Sequence, residues 1–485
     1  MKTEKITVNE LFSGIGAQVS ALERFGIPCE IKHTSDIDHN AVLAYASIHC
    51  RLTEDLINTY AEYPTREEMA RQLTEINLGY DFQKNKPYNW YRFVNSKSKE
   101  LEKYWLANKL SRNLGDISKL EHLDYADFWT YSFPCTDISV AGKQEGIKQG
   151  QTRSGLLYEV QRLLERANKM LALPKYLMLE NVKNLVGKKF KPQFDEWVAW
   201  LDELGYNTYW KVLNAKDYGV PQNRERVFAI SIRKDIDDGK FEFPQPFDNG
   251  VRLKDVLEDN VDEKYYLTDT MIRGFIKHNE SHTAKGTGFI WKPRDVNGTA
   301  STLRANSALA PTDNTILETN RCIQVGNLNY YNYDKMNRVY SKGGCSPALE
   351  IMQGGNRQPK IAEPIAYVKE ATKKGYAEIY EGDSVNLEQP NSKTRRGRVG
   401  KGCVQTLTTS CNQAVIEPEA KSFRVRKLTP RECYRLMGFT DEQFNKSQAF
   451  SSDSQLYKQA GNSIVVDVLY YIFGKLFEVN IENFI

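Results

Sequence analysis

Short apolar runs alternate with amphipathic stretches from the start of the chain. Residues 5–12 (KITVNELF) predict a short buried strand that opens into the glycine-rich turn Ser13-Gly14-Ile15-Gly16. Val19, Leu22 and Phe25 follow at the spacing of one helix face. A second strand is predicted over residues 29–34, ending at Ser35-Asp36-Ile37-Asp38, and the next helix carries Ala41, Val42, Tyr45 and Ile48. Strand–helix alternation of this kind predicts a parallel sheet covered on both faces.

Residues 51–113 break the rhythm. They are rich in Glu, Lys, Arg, Asn and Tyr and predict a charged helical insertion. Alternation then resumes. The apolar run 128–133 ends at Pro134-Cys135, and a helix is predicted over 156–171 with Leu163, Leu164, Ala167 and Met170 in phase. A strand over 176–179 ends at Glu180-Asn181, followed by a helix over 190–204 and strands around 206–213 and 227–232. Beyond about residue 238 long helical periods vanish, and Gly, Asn, Ser, Thr and short alternating stretches take over to about residue 423. Regularity returns from Lys427, and the chain closes on an apolar helix over 464–477. The expected organisation is an α/β doubly wound domain over 1–238, carrying the insertion 51–113. A smaller, loop-rich, β-containing domain over 239–423 follows, and the segment 424–485 returns to the first domain. Three stretches of the middle region echo one another: 298–303, 344–349 and 402–407 each run from a Gly through small residues to Thr-Leu or Ala-Leu. Recurrent entry into a β-turn explains them as well as a functional repeat does.

Composition adds bounds to this picture. The 485 residues are 40% hydrophobic and 26% charged, the balance of an ordinary globular chain with room for several domains. No run reaches the roughly 18 apolar residues of a membrane span. The N-terminal stretch MKTEKITVNELFSG lacks the apolar core of a signal peptide. A cytoplasmic protein without membrane contact is the expectation. A net charge of +4 does not announce a nucleic-acid partner, so any basic surface must be local. The eight cysteines contain no CxxC pair and read as free thiols, with neither a disulfide framework nor a metal site expected.

Four places carry candidate chemistry. The turn Phe12–Gly16 lies where a strand meets a helix, and glycine there lets the backbone approach a ligand at the sheet's carboxyl edge. Asp36 ends the next strand, where an acid can bind ribose hydroxyls. The turn alone fits a dinucleotide, an adenosyl ligand or no ligand, although Val19 replaces the third glycine of GxGxxG. Cys135 follows a buried strand, in a turn rather than mid-element, which favours a nucleophile over core packing. Glu180 is either a helix-capping carboxylate or a proton donor near that thiol. Arg224 and Arg226, two residues apart at a strand, are expected on one face and read as a grip on phosphates or a base carbonyl, or as a solvated pair.

Taken in order, these features resemble the cytosine-C5 DNA methyltransferase family. The blocks are Phe12-Ser13-Gly14-Ile15-Gly16; Asp36; Gly115-Asp116-Ile117; and Phe133-Pro134-Cys135 with Ser139 and Gly142-Lys143-Gln144. They continue with Arg153-Ser154-Gly155-Leu156-Leu157, Glu180-Asn181-Val182 and Gln222-x-Arg224-x-Arg226-Val227-Phe228. Arg426 to Cys433 (RKLTPREC) and Gln459-Ala460-Gly461-Asn462-Ser463 complete the series. The resemblance covers roughly 1–50, 114–235 and 422–475. It departs from the family at Thr136, where Gln is frequent, and at Asp36-Ile37, where Glu and an aromatic are frequent. The insertion 51–113 exceeds the usual spacing.

The resemblance implies a Rossmann-like, class I methyltransferase fold. S-adenosylmethionine would be held by Phe12, Ser13, Gly14, Ile15, Gly16, Asp36, Ile37, Asp116, Ile117, Pro134, Leu156, Asn462 and Ser463. It implies that Cys135 attacks C6 of a cytosine flipped out of duplex DNA, and that Glu180 stabilises the base at N3 and its amine. Arg226 would assist at O2 and Arg224 would position the thiolate loop, while methyl passes to C5. DNA contacts are implied at Ser139, Lys143 and Gln144 of a closing loop, and at Thr406-Leu407 of a target-recognition domain. The basic loop with Arg395, Arg396 and Arg398 reads as a phosphate grip or as a solvated face. Double-stranded DNA is the implied partner, with or without a cognate restriction endonuclease, for a monomeric bacterial or phage enzyme. An RNA cytosine methyltransferase and an inactive DNA-binding relative are the alternatives. The long stretch between residues 228 and 426 speaks against the first, and the presence of every expected catalytic residue against the second.

Overall fold

The computed structural model describes residues 5–81, 84–139, 144–286, 288–305, 309–310, 312–318 and 424–477. Between 318 and 424 it describes short strand segments only. Packing divides the chain into two compact units. The first gathers 1–265, 269–315 and 427–485, and the second 266–268 and 316–426.

The first unit is built on a six-stranded sheet. Its strands are β1 (Ile6–Leu11), β2 (Cys29–Ser35), β3 (Phe128–Tyr131), β4 (Tyr176–Val182), β5 (Tyr206–Asn214) and β7 (Glu225–Arg233), in the order β2-β1-β3-β4-β7-β5; the two-residue β6 (Gln222–Asn223) stands apart. β1 to β4 run parallel, whereas β7 is antiparallel to both β4 and β5. The sheet is therefore parallel except for one inserted strand. Only residues 215–224 separate β5 from β7, too few for the crossover that a parallel pair needs. β3 (FWTY) is buried at every position, as expected of a central strand covered on both faces.

The helices α1 (Ala17–Phe25), α2 (His39–His49), α6 (Leu157–Lys169) and α7 (Lys191–Leu204) cover this sheet. α6 buries Leu157, Val160, Leu163, Leu164 and Ala167 along one stripe. It stops two residues before the expected Leu171. Met170 caps it and Leu171 turns left-handed and almost fully exposed, so the phase of Met170 is accidental.

The insertion forms α3 (Glu54–Thr59), α4 (Arg66–Glu75) and α5 (Glu100–Leu110), a helical layer with its own apolar core. Ile57, Met69, Leu73, Trp90, Leu101 and Leu106 meet Val42, Leu43 and Ala46 of α2 there.

The first unit extends beyond residue 238, where the sequence changes texture. The Tyr218 hydroxyl donates to the Pro244 carbonyl at 3.0 Å, and Phe247 N–H to the Asp217 carbonyl at 3.0 Å. A 17-residue helix, α8 (Asp269–Lys285), follows where no long helical period was expected. None of its described apolar side chains is buried: Met271 and Ile276 are exposed at 42% and 45%, and Ile272 and Phe275 are half-buried, so no buried stripe marks it in the sequence. The C-terminal segment supplies α9 (Pro430–Arg435), α10 (Asp441–Gln448), α11 (Asp453–Asn462) and α12 (Val466–Leu476). α12 packs on α1 through stacked Phe25 and Tyr470 rings 4.4 Å apart and an Arg24–Asp467 ion pair at 3.0 Å. Phe473 meets Phe128 of β3 edge-on at 5.6 Å.

In the second unit the described residues form small sheets. One joins Gln324–Asn327, Arg338–Ser341 and Lys360–Ala362; another pairs Ala366–Lys369 with Tyr376–Ile379; a third joins Val399–Gly400, Ser384–Asn386 and Gln413–Val415.

Candidate active site

From β1, the chain returns to β2 on one side of the sheet and continues to β3 on the other. The carboxyl ends of β1 and β3 therefore flank a crevice, the place where open α/β sheets bind ligands. The sequence-predicted residues converge there. Leu11 pairs with Tyr131, so Phe12 and the segment leading to Cys135 leave adjacent strand ends, and Ser132 Oγ donates to the Phe12 carbonyl at 3.5 Å.

The turn is held from below. Phe12 N–H and Ser13 N–H both donate to the Ser35 carbonyl, at 2.7 and 3.3 Å, and Phe12 itself adopts φ +58°. Gly16 stands at the N-cap of α1, where it offers no side-chain oxygen. Glu10, buried at the end of β1, replaces that cap. One carboxylate oxygen accepts Val19 N–H at 3.2 Å and the other the Tyr45 hydroxyl at 2.5 Å. Burial pushes the Glu10 carboxyl up to about 7. Gly16 has φ +78°, and a Cβ there would fall 2.6 Å from His49 Nε2 and 2.8 Å from the Tyr45 ring. Gly16→Ala is therefore expected to lose about 1–3 kcal/mol to backbone strain alone, and more to the clash with the buried Tyr45 ring. An unchanged midpoint in urea unfolding would show that the turn tolerates a side chain.

Ile15 is buried behind the turn, while Gly14, at φ +55°, faces open space: a Cβ on it would meet nothing within 4 Å. Beside that space the Asp36 carboxylate accepts Gly14 N–H at 2.9 Å and Asp38 N–H at 2.8 Å. Burial and the neighbouring Asp38 carboxylate raise Asp36 to about 6. Ile37 accepts Gly79 N–H on its carbonyl at 2.6 Å. Asp116 caps a short 3-10 turn opened by buried Ile117.

The thiol loop is clamped along its length. The Cys135 carbonyl accepts Ile138 N–H at 3.1 Å and Ser139 N–H at 2.8 Å. Ser154 Oγ donates to the Pro134 carbonyl at 2.6 Å, and Asp137 accepts Ser154 N–H at 2.9 Å. Asn181 Nδ2 reaches the Phe133 carbonyl at 3.0 Å, and Asn184 Nδ2 the Ile138 carbonyl at 2.5 Å. Leu156 is half-buried where α6 begins. Asp137 and Asn184 had no prior signal. Ser154 and Asn181 belong to the family-like blocks, but nothing local in the sequence shows that a hydroxyl 20 residues on or an amide on the neighbouring strand binds this loop.

Glu180 and Arg226 meet through sheet register. Glu180 opposes Phe228 and Val182 opposes Arg226, so the two are diagonal neighbours on one face, with Arg226 Nε 3.2 Å from Glu180 Oε1. Burial pushes the Glu180 carboxyl up, and Arg226 and then Arg224 pull against it. Burial also pushes the Cys135 thiol up, with Arg226 lowering it, Glu180 raising it and Arg224 lowering it. Among the described cysteines, Cys135 is the one whose foremost charged neighbour is an arginine; carboxylates lead at Cys29, Cys50 and Cys433.

Arg224 departs from the expectation. It lies between β6 and β7, fully buried, and donates to the carbonyls of Leu303 (3.1 Å), Gly461 (3.1 Å) and Ser463 (2.8 Å). It ties three distant chain segments together; its hydrogen bonds do not go to the thiol loop. The first of the three echoing stretches lies beside it. Ala300–Ser301 pairs with Gln222–Asn223, Leu303 N–H donates to Gln222 Oε1 at 3.0 Å, and Thr302 Oγ1 to the Asn223 carbonyl at 2.7 Å. The other two echoes lie outside the described residues, as do Lys143, Arg395, Arg396, Arg398, Thr406 and Leu407. Gln144, at φ +53°, accepts Lys189 Nζ on its carbonyl at 2.7 Å.

Asn462 ends α11 and Ser463 caps that helix's C-terminus; neither starts the closing helix, which begins at Val466. α11 docks beside the end of β2, with Lys458 Nζ 2.6 Å from Asp38 and Gln459 Nε2 3.1 Å from the Asn40 carbonyl. Asn462 is exposed, and Gly461 lies against the Arg304–Ala305 backbone.

The family model for the C-5 cytosine-specific DNA methylase matches residues 77–478. Type II methyltransferase M2.ScrFI of Lactococcus lactis subsp. cremoris is 34% identical over 481 residues, covering 98% of this chain and 99% of that protein. Orphan methyltransferase M.SPBetaI of Bacillus phage SPbeta is 28% identical over 541 residues, covering 99% of each. Among solved structures, the Dnmt2 methyltransferase of S. pombe aligns over 98% of this chain and 99% of its own, at 16% identity and a TM-score of 0.50, a likeness of fold.

Proposed function

As this chain belongs to the C-5 cytosine-specific DNA methylase family, we propose that it methylates C5 of a cytosine flipped out of duplex DNA, with Cys135 as nucleophile. The observation that carries the reading is the pair of buried Glu180 and half-buried Arg226, 3.2 Å apart, whose charges act on the Cys135 thiol from the neighbouring strands. S-adenosylmethionine fits the turn: Gly14 faces open space, and the Asp36 carboxylate stands beside it as an acceptor for hydroxyl groups. Phe12, Ser13, Gly14, Ile15, Gly16, Asp36, Ile37, Asp116, Ile117, Pro134, Leu156, Asn462 and Ser463 would hold it. When bound, this cofactor supplies an electrophilic methyl group.

The chain's own groups prepare the base. The Cys135 thiolate adds to C6, forming an S–C6 bond and turning C5 into an enamine-like carbon. Glu180 donates toward N3 and holds the exocyclic amine, and Arg226 steadies the charge that develops at O2. After methylation, loss of the C5 proton to water breaks the S–C6 bond and frees Cys135. Arg224 supports this arrangement from behind, by joining the strand that carries Arg226 to residues 303, 461 and 463. The loop from Thr136 to Gly150, with Ser139, Lys143 and Gln144, closes over the base. The second unit, chiefly residues 316–426, reads the target, with Arg395, Arg396, Arg398, Thr406 and Leu407 against DNA. We assign the enzyme to the cytoplasm of a bacterium or phage host, acting as a monomer with or without a cognate endonuclease.

Bisulfite sequencing of DNA from cells expressing the chain tests the reading. Protected cytosines in one sequence context are expected, and uniform conversion would overturn it. A second expectation concerns the closing turn. Asn462→Ala should weaken S-adenosylmethionine binding about three- to tenfold, the worth of one hydrogen bond, and DNA binding less. Calorimetric titration with each ligand checks this; the reverse order would assign Asn462 to the DNA cleft or to the fold.

A further inference from the structure

We propose that the insertion 51–113 is a working wall of the cofactor pocket and that Asn77 is its positioning residue, holding the Asp116 carboxylate in place as an acceptor for the adenosyl moiety. The inference rests on the reading of Asp116 as a cofactor contact. Where α4 ends, Asn77 N–H donates to the Thr74 carbonyl at 3.1 Å and Leu78 N–H to the Leu73 carbonyl at 3.1 Å, with Asn77 left-handed at φ +55°. Glycine is the residue such a helix end favours, because a Cβ is strained there. The asparagine side chain is put to use instead: Nδ2 donates to Asp116 Oδ2 at 2.7 Å. Ser118 occupies the other oxygen, through its N–H at 3.0 Å and its hydroxyl at 2.7 Å. Both carboxylate oxygens are thus engaged by donors, which fixes the plane of the group before any ligand arrives.

Neighbouring contacts make this a built junction. Asp116 N–H donates to the Ile76 carbonyl at 2.9 Å, and Lys119 Nζ to the Glu75 carbonyl at 2.7 Å. Gly115 passes so near that a Cβ on it would lie 2.2 Å from the Ile76 oxygen, so any side chain there would push the two segments apart. The same insertion also holds the backbone of the other proposed cofactor acid, Asp36. Asn113 Oδ1 accepts Asp36 N–H at 2.8 Å, and its Nδ2 donates to the Asp36 carbonyl at 3.0 Å. A side chain held in its bound orientation loses less freedom when the ligand binds, so the effect should appear in affinity rather than in turnover.

Asn77→Gly separates positioning from fold, because glycine keeps the left-handed turn at lower cost and removes only the amide. The expected result is a thermal midpoint equal to or above wild type, with the Kd for S-adenosylhomocysteine raised about tenfold. The KM for S-adenosylmethionine should rise alike, with kcat at saturating cofactor within about twofold of wild type. In an Asp116→Ala background the same change should add nothing, since no carboxylate remains to be held. Equal affinity of Asn77→Gly and wild type, or a full additive loss in the Asp116→Ala background, would overturn the positioning role and leave the proposed function standing. A wild-type chain that binds no S-adenosylhomocysteine would instead remove the function on which the inference rests.

Discussion

Cys135→Ser is expected to abolish methyl transfer while leaving DNA binding largely intact. A serine hydroxyl is close to the thiol in size but is a far weaker nucleophile at neutral pH, so the S–C6 addition has no substitute. Loss of a covalent nucleophile from an assembled site costs on the order of 10⁴–10⁶-fold in turnover. The fold should not notice the change. The loop is clamped by Ser154 on the Pro134 carbonyl, Asn181 on the Phe133 carbonyl and Asn184 on the Ile138 carbonyl, none of which uses the sulfur. DNA carrying 5-fluorocytosine at the target should trap wild type covalently and Cys135→Ser not at all, because fluorine at C5 leaves no proton to lose. An adduct on Cys29, Cys50 or Cys433, or turnover in the serine variant within about tenfold of wild type, would move the nucleophile elsewhere. The pH dependence follows from burial, which pushes the Cys135 thiol above its ordinary range, while Arg226 holds it back. Alkylation of Cys135 should therefore be slow at neutral pH and accelerate as pH rises. Arg226→Gln should shift that acceleration to still higher pH.

The parts of this site that the sequence made legible are those whose chemistry and position are local. β1, β3 and β4 begin as short apolar runs, and each run gives way to residues that its pattern does not explain: Phe12-Ser13-Gly14, Pro134-Cys135 and, within β4 itself, Glu180-Asn181. Strand direction is not written in hydrophobicity, so the antiparallel course of β7 was not foreseen. Arg224 and Arg226 were expected to share a face because alternate residues of a strand do. Arg224, however, sits in the gap between β6 and β7, outside the ladder, and turns to carbonyls 79, 237 and 239 residues away. The insertion was recognised as helical and charged, but its use was hidden, because the Asn77–Asp116 contact spans 39 residues and has no local signature. α8 is hidden for a different reason: its apolar residues are exposed or only half-buried, and a helix that buries no stripe leaves little period to find.

Glu180→Gln is expected to lower kcat by about 10²–10⁴-fold, the contribution typical of one positioned general acid. The glutamine retains Oε1 as an acceptor for Arg226 Nε, which the carboxylate meets at 3.2 Å, so the arginine is not left buried without a partner. What disappears is the proton. Burial holds the Glu180 carboxyl above the ordinary carboxylate range, so a larger protonated fraction survives toward neutral pH, in the form needed to donate to N3. The sign for stability is the same. A carboxyl whose pKa is raised by folding favours the native state fully below its unfolded pKa, and that contribution is lost as pH rises through the folded value. Wild-type turnover should therefore decline on the alkaline side as Glu180 ionises, and the glutamine variant should lack that limb at its lower rate. Arg226→Gln offers an internal control, because the arginine pulls the Glu180 pKa down: without it the alkaline decline should begin at higher pH. Single-turnover rates across pH, with thermal midpoints showing each variant folded, decide the matter. A loss under about tenfold in folded Glu180→Gln, or an alkaline limb that persists unchanged in it, would assign the proton to another group.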